Sequence, residues 1–313
     1  MGVTKDAIRK PDWLRVRLGN NRQFSITGTV VDSGHLHTIC QSGRCPNMGE
    51  CWNRGTATFM IGGDICTRSC GFCNTKTGKP LPLDPDEPLR IAQSIQKLGL
   101  KHAVITSVDR DDLPDAGAEH WAETIRLIKL NNLHTTLEAL IPDFGGNRES
   151  IAKLIATKPE IISHNMETVR RLTPLVRSAA RYKRSLSVLE QVGTSKVFAK
   201  TGLMLGLGET ETEVWELMKD VLSVGCYFLS IGQYLQPSRK HLPVKEYIHP
   251  EMFDKYKEEA YSLGFRHVES APLVRSSYRS AEFLKDGWLF GKHRLVHCQC
   301  TSARGVRQPY RDI

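Results

Sequence analysis

Long apolar runs are missing from these 313 residues, and no stretch approaches the roughly 20 residues of a membrane-spanning helix. A membrane role is therefore not expected. The start, Met1 to Leu18, is charged and has no apolar core of the kind a secretory leader needs. It is also poor in hydroxyls: Thr4 is the only Ser or Thr in the first twenty residues, while Asp6 and Asp12 add acid, which argues against an organellar transit peptide. Neither an aromatic-rich RNA-binding signature nor a glycine-rich phosphate loop occurs, so nucleic acid is not an expected partner. No internal repeat or low-complexity segment stands out, and at 40% hydrophobic the chain can bury a large core.

Cysteine is what the chain does have. Six of its nine cysteines lie between positions 40 and 73, clustered as for soft metals rather than spread as disulfide pairs. That usage suits a reducing compartment and, with no leader visible, a cytoplasmic location is expected. Free cysteines are often small buried hydrophobes, but Gly43, Pro46, Asn47 and Gly49 space the first three on a loop, not an apolar face.

The run Cys66-Thr67-Arg68-Ser69-Cys70-Gly71-Phe72-Cys73 puts three thiols on one short loop as C-x3-C-x2-C. Three thiolates can hold three corners of a four-iron cubane that normally takes four protein ligands, leaving one iron open. A zinc site would pair C-x2-C with a second C-x2-C or H-x3-H, and neither lies nearby. The spacing, with aromatic Phe72 before the last cysteine, resembles the radical S-adenosylmethionine superfamily. The resemblance implies a 4Fe-4S cluster on Cys66, Cys70 and Cys73 whose open iron binds S-adenosylmethionine, and a 5′-deoxyadenosyl radical made from it by one electron. A reducing electron donor is implied as well.

The second trio, Cys40, Cys45 and Cys51, has the looser spacing C-x4-C-x5-C. With its surroundings it is similar to the lipoyl synthase family. The segments carrying the likeness are Cys45-Pro46-Asn47, Glu50-Cys51-Trp52, Ala57-Thr58-Phe59-Met60-Ile61 and the Cys66 loop. Further along come Thr106-Ser107-Val108-Asp109-Arg110-Asp111-Asp112-Leu113, His164-Asn165-Met166-Glu167-Thr168, Gly202-Leu203-Met204-Leu205-Gly206-Leu207-Gly208-Glu209-Thr210, Gly232-Gln233-Tyr234-Leu235-Gln236-Pro237-Ser238 and Arg275-Ser276-Ser277-Tyr278. The match runs from about 32 to 280. It departs where Ser280 replaces the family's usual alanine, and in a long tail.

That resemblance implies an auxiliary 4Fe-4S cluster on Cys40, Cys45 and Cys51 with Ser277 as fourth ligand, consumed as the sulfur donor. Alkoxide is a harder donor than thiolate, so a serine corner is weak and displaceable. On residues alone, Ser276 and Ser277 also read as a solvated turn. The implied reaction inserts two sulfur atoms at carbons six and eight of an octanoyl group on a carrier-domain lysine. The implied partners are octanoylated lipoyl-carrier domains: 2-oxoacid dehydrogenase acyltransferase subunits and the glycine cleavage H protein. Two other readings share parts of the pattern: a radical enzyme using its second cluster for electron transfer, and a non-catalytic iron–sulfur or zinc module.

Strand and helix signals alternate: strands over 56–61, 102–108, 135–141, 160–163, 197–205 and 227–234, helices over 86–98, 118–130, 148–156, 168–191, 210–224 and 250–263. Asp86 is the expected N-cap of the first helix, and Thr210-x-x-Glu213 reads as a capping box. Repeated β-then-α units imply a parallel sheet with helices outside. The resemblance supplies the closure: a partial (β/α)6 barrel of TIM-like α/β type. We expect an N-terminal extension (1–54) carrying the auxiliary motif, a partial barrel (55–264), and a C-terminal extension (265–313) returning Ser277.

Thr106, Ser107, Asn165 and Glu167 fall at expected strand ends and suit contacts to S-adenosylmethionine, or equally ordinary loop and cap hydrogen bonds. Phe72 joins them as a cofactor contact. Cys226 reads as core; Cys298 and Cys300 read as inert thiols. The net charge of +9 is densest at Arg170, Arg171, Arg177, Arg181, Lys183 and Arg184, either a solvated helical face or a dock for an acidic carrier.

Overall fold

The computed structural model describes residues 9–16 and 21–284. Its main sheet has the order β1 (His37–Thr38), β2 (Thr58–Ile61), β5 (His102–Ser107), β6 (Thr136–Leu140), β7 (Ile161–Ser163), β8 (Phe198–Leu205), β9 (Phe228–Gln233) and β10 (His267–Ser270). β1 is antiparallel to β2; every later pairing is parallel. β3 (Ile65–Cys66) and β4 (Lys76–Thr77) form a separate two-stranded ladder. The sheet is open, with β1 and β10 as its edges. This is the partial barrel expected, and β10 adds a parallel strand that the sequence pattern did not suggest.

The helices α4 (Glu87–Leu98), α5 (Ala118–Asn131), α6 (Arg148–Ala156), α8 (Tyr182–Gly193), α9 (Glu211–Ser223) and α10 (Pro250–Leu263) follow successive strands. Each turns apolar positions inward at helical spacing, such as Ile91 and Ile95, Trp121, Ile125 and Ile128, or Val214, Leu217 and Val221, all fully buried. Strand residues Ile105, Leu137, Ala139 and Ile162 join the same cluster. The main core therefore lies between sheet and helices, and Ile161, Phe228, Phe283 and Leu284 form a separate buried apolar cluster.

Local chemistry sets the helix ends. Thr210 and Glu213 complete the expected capping box on α9. Asp86 makes no side-chain cap on α4. Instead Asp84 accepts from the Asp86 amide at 2.9 Å and pairs with Arg90 at 2.7 Å. The expected helix over 168–191 is two: α7 (Thr173–Val176), with Pro174 in its first turn, and α8. The break occurs because Arg177 adopts extended backbone and turns inward, donating to the Asn165 carbonyl at 3.1 Å and to Ser185 Oγ at 2.8 Å.

Among the described residues before β2 there are three helices that the sequence pattern did not suggest, α1 (Arg22–Ser33), α2 (Ile39–Ser42) and α3 (Met48–Asn53). Short polar helices carry little periodicity, and packing decides them. Among the described residues no helix is long and apolar enough to cross a membrane.

Candidate functional site

The Cys66 loop leaves the carboxyl side of β2 and is tied on all sides. The Thr67 amide donates to the Asp109 carbonyl at 3.1 Å, the Gly71 amide to the Val176 carbonyl at 2.9 Å, and the Leu242 amide to the Gly71 carbonyl at 2.9 Å. His241 Nε2 donates to the Cys73 carbonyl at 2.9 Å. A Cβ at Gly71 would lie 2.9 Å from the Leu242 side chain and would have to displace it.

Arg68, between the first two cysteines, anchors the loop from below. Its side chain is 5% exposed and reaches Asp109 at 3.1 Å, Asp111 at 2.6 Å and Asp143 at 2.7 Å. Burial alone would raise the Asp143 carboxyl, yet the guanidinium holds it down to about 2. The Asp109 carboxyl goes the other way, up to about 6, because burial outweighs Arg68.

Backbone amides of Arg68 and Asp109 point at Cys66 Sγ from 3.4 and 3.3 Å. Such donors favour a thiolate, although burial pushes the free thiol up to about 12. Burial likewise raises Cys73. Only a bound cation reverses that balance, since coordination deprotonates a thiol outright. Among the described residues no three ligand-type side chains converge on a single ion. A cubane does not ask for that, because its thiolates sit on separate irons.

The other trio lies in its own cavity of about 410 Å³. Cys40, Cys45 and Cys51 line it together with Arg275, Ser277 and Tyr278. Asn47 Nδ2 donates to the Leu273 carbonyl at 2.7 Å, closing 226 residues of sequence separation. Burial raises all three thiols, Cys51 to about 12, and each of Cys40 and Cys45 raises Cys51 further by its nearness. Three soft donors lining one cavity, with hydroxyls including that of Ser277 on the same lining, fit a sulfur-rich cluster. The described cysteines are all free thiols.

The loop after β7 joins the two regions. Asn165 Nδ2 donates to Glu167 Oε1 at 3.0 Å and to Ser276 Oγ at 2.6 Å. Asn165 Oδ1 is buried and has no partner, which fits a donor such as an amino acid ammonium. Glu167 is in the left-handed region, with φ of 65°, and is locked there by bonds to Gly202 and Met204. Burial raises its carboxyl.

The remaining expected contacts divide. Thr106 is buried and donates to the Leu140 carbonyl at 3.1 Å. Ser107, one residue on, accepts from Trp121 Nε1 of α5 at 3.1 Å, so its hydroxyl meets the helix layer. Phe72 is half-buried and packs on the main core. Cys226 is buried core, as expected. Cys298 and Cys300 lie outside the described residues.

The basic stretch is largely paired within the fold. Arg170 meets Asp220 at 2.9 Å, Arg171 meets Glu213 at 2.7 Å and Arg184 meets Asp143 at 3.3 Å, while Arg177 is buried. Sequence reading missed Arg68, Asp143 and Lys200, whose roles come from distant partners. An Arg between two loop cysteines was the available signal for the first.

The family model of the Radical SAM superfamily matches residues 60–221, beginning in β2 and ending in α9. Lipoyl synthase of Parabacteroides distasonis is 64% identical over 277 residues, covering 88% of this chain and 99% of that one. Lipoyl synthase of Bacteroides fragilis is 62% identical, covering 89% and 96%. Among solved structures, Streptococcus suis SuiB bound to S-adenosylmethionine has a TM-score of 0.53 at 12% identity, over 71% of this chain and 53% of that. HydG, a maturase of the [FeFe]-hydrogenase, has a TM-score of 0.51 at 14% identity, over 67% and 55%. The two structures share the fold. With a 64% identical relative matched along nearly its whole length, and with a three-cysteine loop at the carboxyl side of a partial barrel, the chain belongs to the lipoyl synthase family of the radical S-adenosylmethionine superfamily.

Proposed function

We propose that this protein converts a protein-bound octanoyl-lysine group to the lipoyl group by inserting sulfur at carbons six and eight. The observation that carries the reading is the 64% identity over 99% of a lipoyl synthase, with both cysteine trios present in this chain. Two 4Fe-4S clusters and S-adenosylmethionine supply, when bound, a hydrogen-abstracting 5′-deoxyadenosyl radical and the sulfur to be inserted.

Cys66, Cys70 and Cys73 would hold the first cluster, and Cys40, Cys45, Cys51 and Ser277 the second. Asn165 and Glu167 would take the methionine end of the cofactor, the buried unpartnered Oδ1 accepting its ammonium. Thr106 would add a hydroxyl from the inner strand face, Phe72 an apolar contact, and Ser107 would act from behind through Trp121. Enclosure between barrel and tail segment keeps water from the reacting carbons and holds them near the donor.

The substrate class is a lipoyl-carrier domain. Within it we favour 2-oxoacid dehydrogenase acyltransferase subunits and the glycine cleavage H protein, with a reducing electron donor, in the cytoplasm. Segments 1–54, 55–264 and 265–313 serve as auxiliary-site extension, barrel and serine-bearing extension. Anaerobic assay of reconstituted protein with an octanoylated carrier peptide tests the reading. Both 5′-deoxyadenosine and a two-sulfur mass gain are expected. Deoxyadenosine without thiolation overturns it in favour of an electron-transfer role for the second cluster.

A further inference from the structure

Strands β6 and β8 carry a buried ion pair. Lys200 of β8 is 1% exposed, and its ammonium donates to Glu138 Oε1 and Oε2 at 3.1 and 2.9 Å. Glu138 of β6 also accepts from Ser163 and from Ser280. Because the single hydroxyl hydrogen of Ser280 goes to Glu138, His102 Nε2 donates to Ser280 Oγ at 2.8 Å, and Nδ1 lies 2.8 Å from Thr136 Oγ1. The Phe283 ring covers Lys200 at 4.1 Å.

A lysine ammonium has three donors. Two serve Glu138, and the third goes to the backbone carbonyl of Ser276 at 2.7 Å. Ser276 is therefore held twice, by its carbonyl on Lys200 and by its hydroxyl on Asn165. The next residue is Ser277, facing the cavity of Cys40, Cys45 and Cys51. Stability alone does not call for this pair, since well-packed apolar residues replace buried ion pairs at little or no cost. What an apolar pair lacks is a charged donor aimed at the Ser276 carbonyl, and charge-assisted bonds of this kind are short and strong.

We propose that Lys200, held by Glu138, is a positioning residue: it sets the Ser276–Ser277 turn so that the Ser277 hydroxyl meets the cysteine trio. Ser280, the departure from the family pattern, braces Glu138 from the tail segment. The inference rests on Ser277 being the fourth ligand of the auxiliary cluster.

The test uses reconstituted holoenzyme loaded with 57Fe. Lys200→Met alone strands the Glu138 carboxylate, so the decisive variant combines Lys200→Met with Glu138→Gln, removing both charges at nearly constant volume. Expected, at saturating S-adenosylmethionine, are a folded protein, retained 5′-deoxyadenosine formation, and a thiolated-peptide yield per deoxyadenosine lowered about a hundredfold, as for an ångström-scale misplacement. The Mössbauer signal of an oxygen-ligated iron should weaken in parallel. An unchanged yield and an unchanged iron signal in the folded double variant overturn the proposal. Ser277→Ala, measured alongside, separates the two levels. If Ser277→Ala leaves the iron signal intact, the ligand reading itself fails. If it removes the signal while the double variant keeps it, only the positioning role fails.

Discussion

Asn165 Nδ2 and Ser276 Oγ meet at 2.6 Å, joining the loop after β7 to a segment 111 residues further along the chain. The contact exists because Gly202, on the neighbouring strand, has no side chain. A Cβ there would stand 2.7 Å from Asn165 Oδ1 and 3.0 Å from Ser276 Oγ. Gly202→Ala should therefore separate the pair, with an overpacking cost of about 1–3 kcal/mol. Equilibrium binding of S-adenosylmethionine to the reconstituted variant should weaken about tenfold, as expected for loss of about one good hydrogen bond. Wild-type affinity in a folded variant would remove Asn165 from the cofactor site.

Arg68 should be the most sensitive single side chain of the cluster loop. Arg68→Met takes the shorter of its two ion pairs from the buried Asp143 carboxylate, leaving only Arg184 at 3.3 Å, and breaking a buried pair in this way costs up to about 3–5 kcal/mol. Arg68→Lys keeps a charge but loses the fork on Asp111, whose two bonds measure 2.6 and 2.7 Å, and should fall between. Urea midpoints of the two variants check the order.

Iron content should divide the two trios. Wild type should hold about eight irons per chain for two cubanes. Cys70→Ala should lower this to about four and abolish deoxyadenosine formation. Cys45→Ala should also leave about four, yet still cleave S-adenosylmethionine without thiolating the peptide. Loss of cleavage in a folded Cys45→Ala protein that keeps its first cluster would contradict independent sites.

Buried histidines and carboxyls should make the fold sensitive to mild acid. Burial lowers His102 and His164 from 6.5 to about 4, with Arg177 adding to the effect at His164. A depressed histidine is neutral when folded, so the unfolded chain binds more protons between pH 6.5 and 4. Each imidazole then withdraws up to about 3 kcal/mol as pH falls through that window. Asp109 opposes them: its raised value, about 6, gives stability at low pH that is lost as pH rises through 6. Burial raises the Glu167 and Glu209 carboxyls as well, so they oppose the imidazoles in the same direction as Asp109. Asp143, depressed to about 2, adds its own loss only below about pH 4. Between pH 6.5 and 4.5 the denaturant midpoint of cluster-free His164→Gln should shift upward relative to wild type as pH falls, because the variant lacks that imidazole's loss. An equal slope in the variant would show that His164 is charged in the folded state.

Much of the barrel was legible because its signals are local. Ile91 and Ile95 recur at helical spacing, Thr210 and Glu213 form their capping box within four residues, and β-branched runs such as 102–107 read directly as strands. The break at Arg177 was not legible, since a guanidinium turning inward to Asn165 and Ser185 depends on partners that no helical pattern names. Strand β10 escaped for the same reason: four residues of His-Val-Glu-Ser are a strand only because β9 lies beside them.

By itself the amino-acid order determined the chemistry available: two cysteine trios, three thiols closely spaced on one loop, and an alternating β/α pattern. Spacing of this kind acts over a few bonds and survives any fold. Tertiary structure alone decided which distant groups share a cavity, bringing Ser277 into the lining that also holds Cys40, Cys45 and Cys51, and Lys200 to the Ser276 carbonyl. Such meetings follow from sheet register and the burial of a compensated charge, which are properties of the packed chain and of no segment of it.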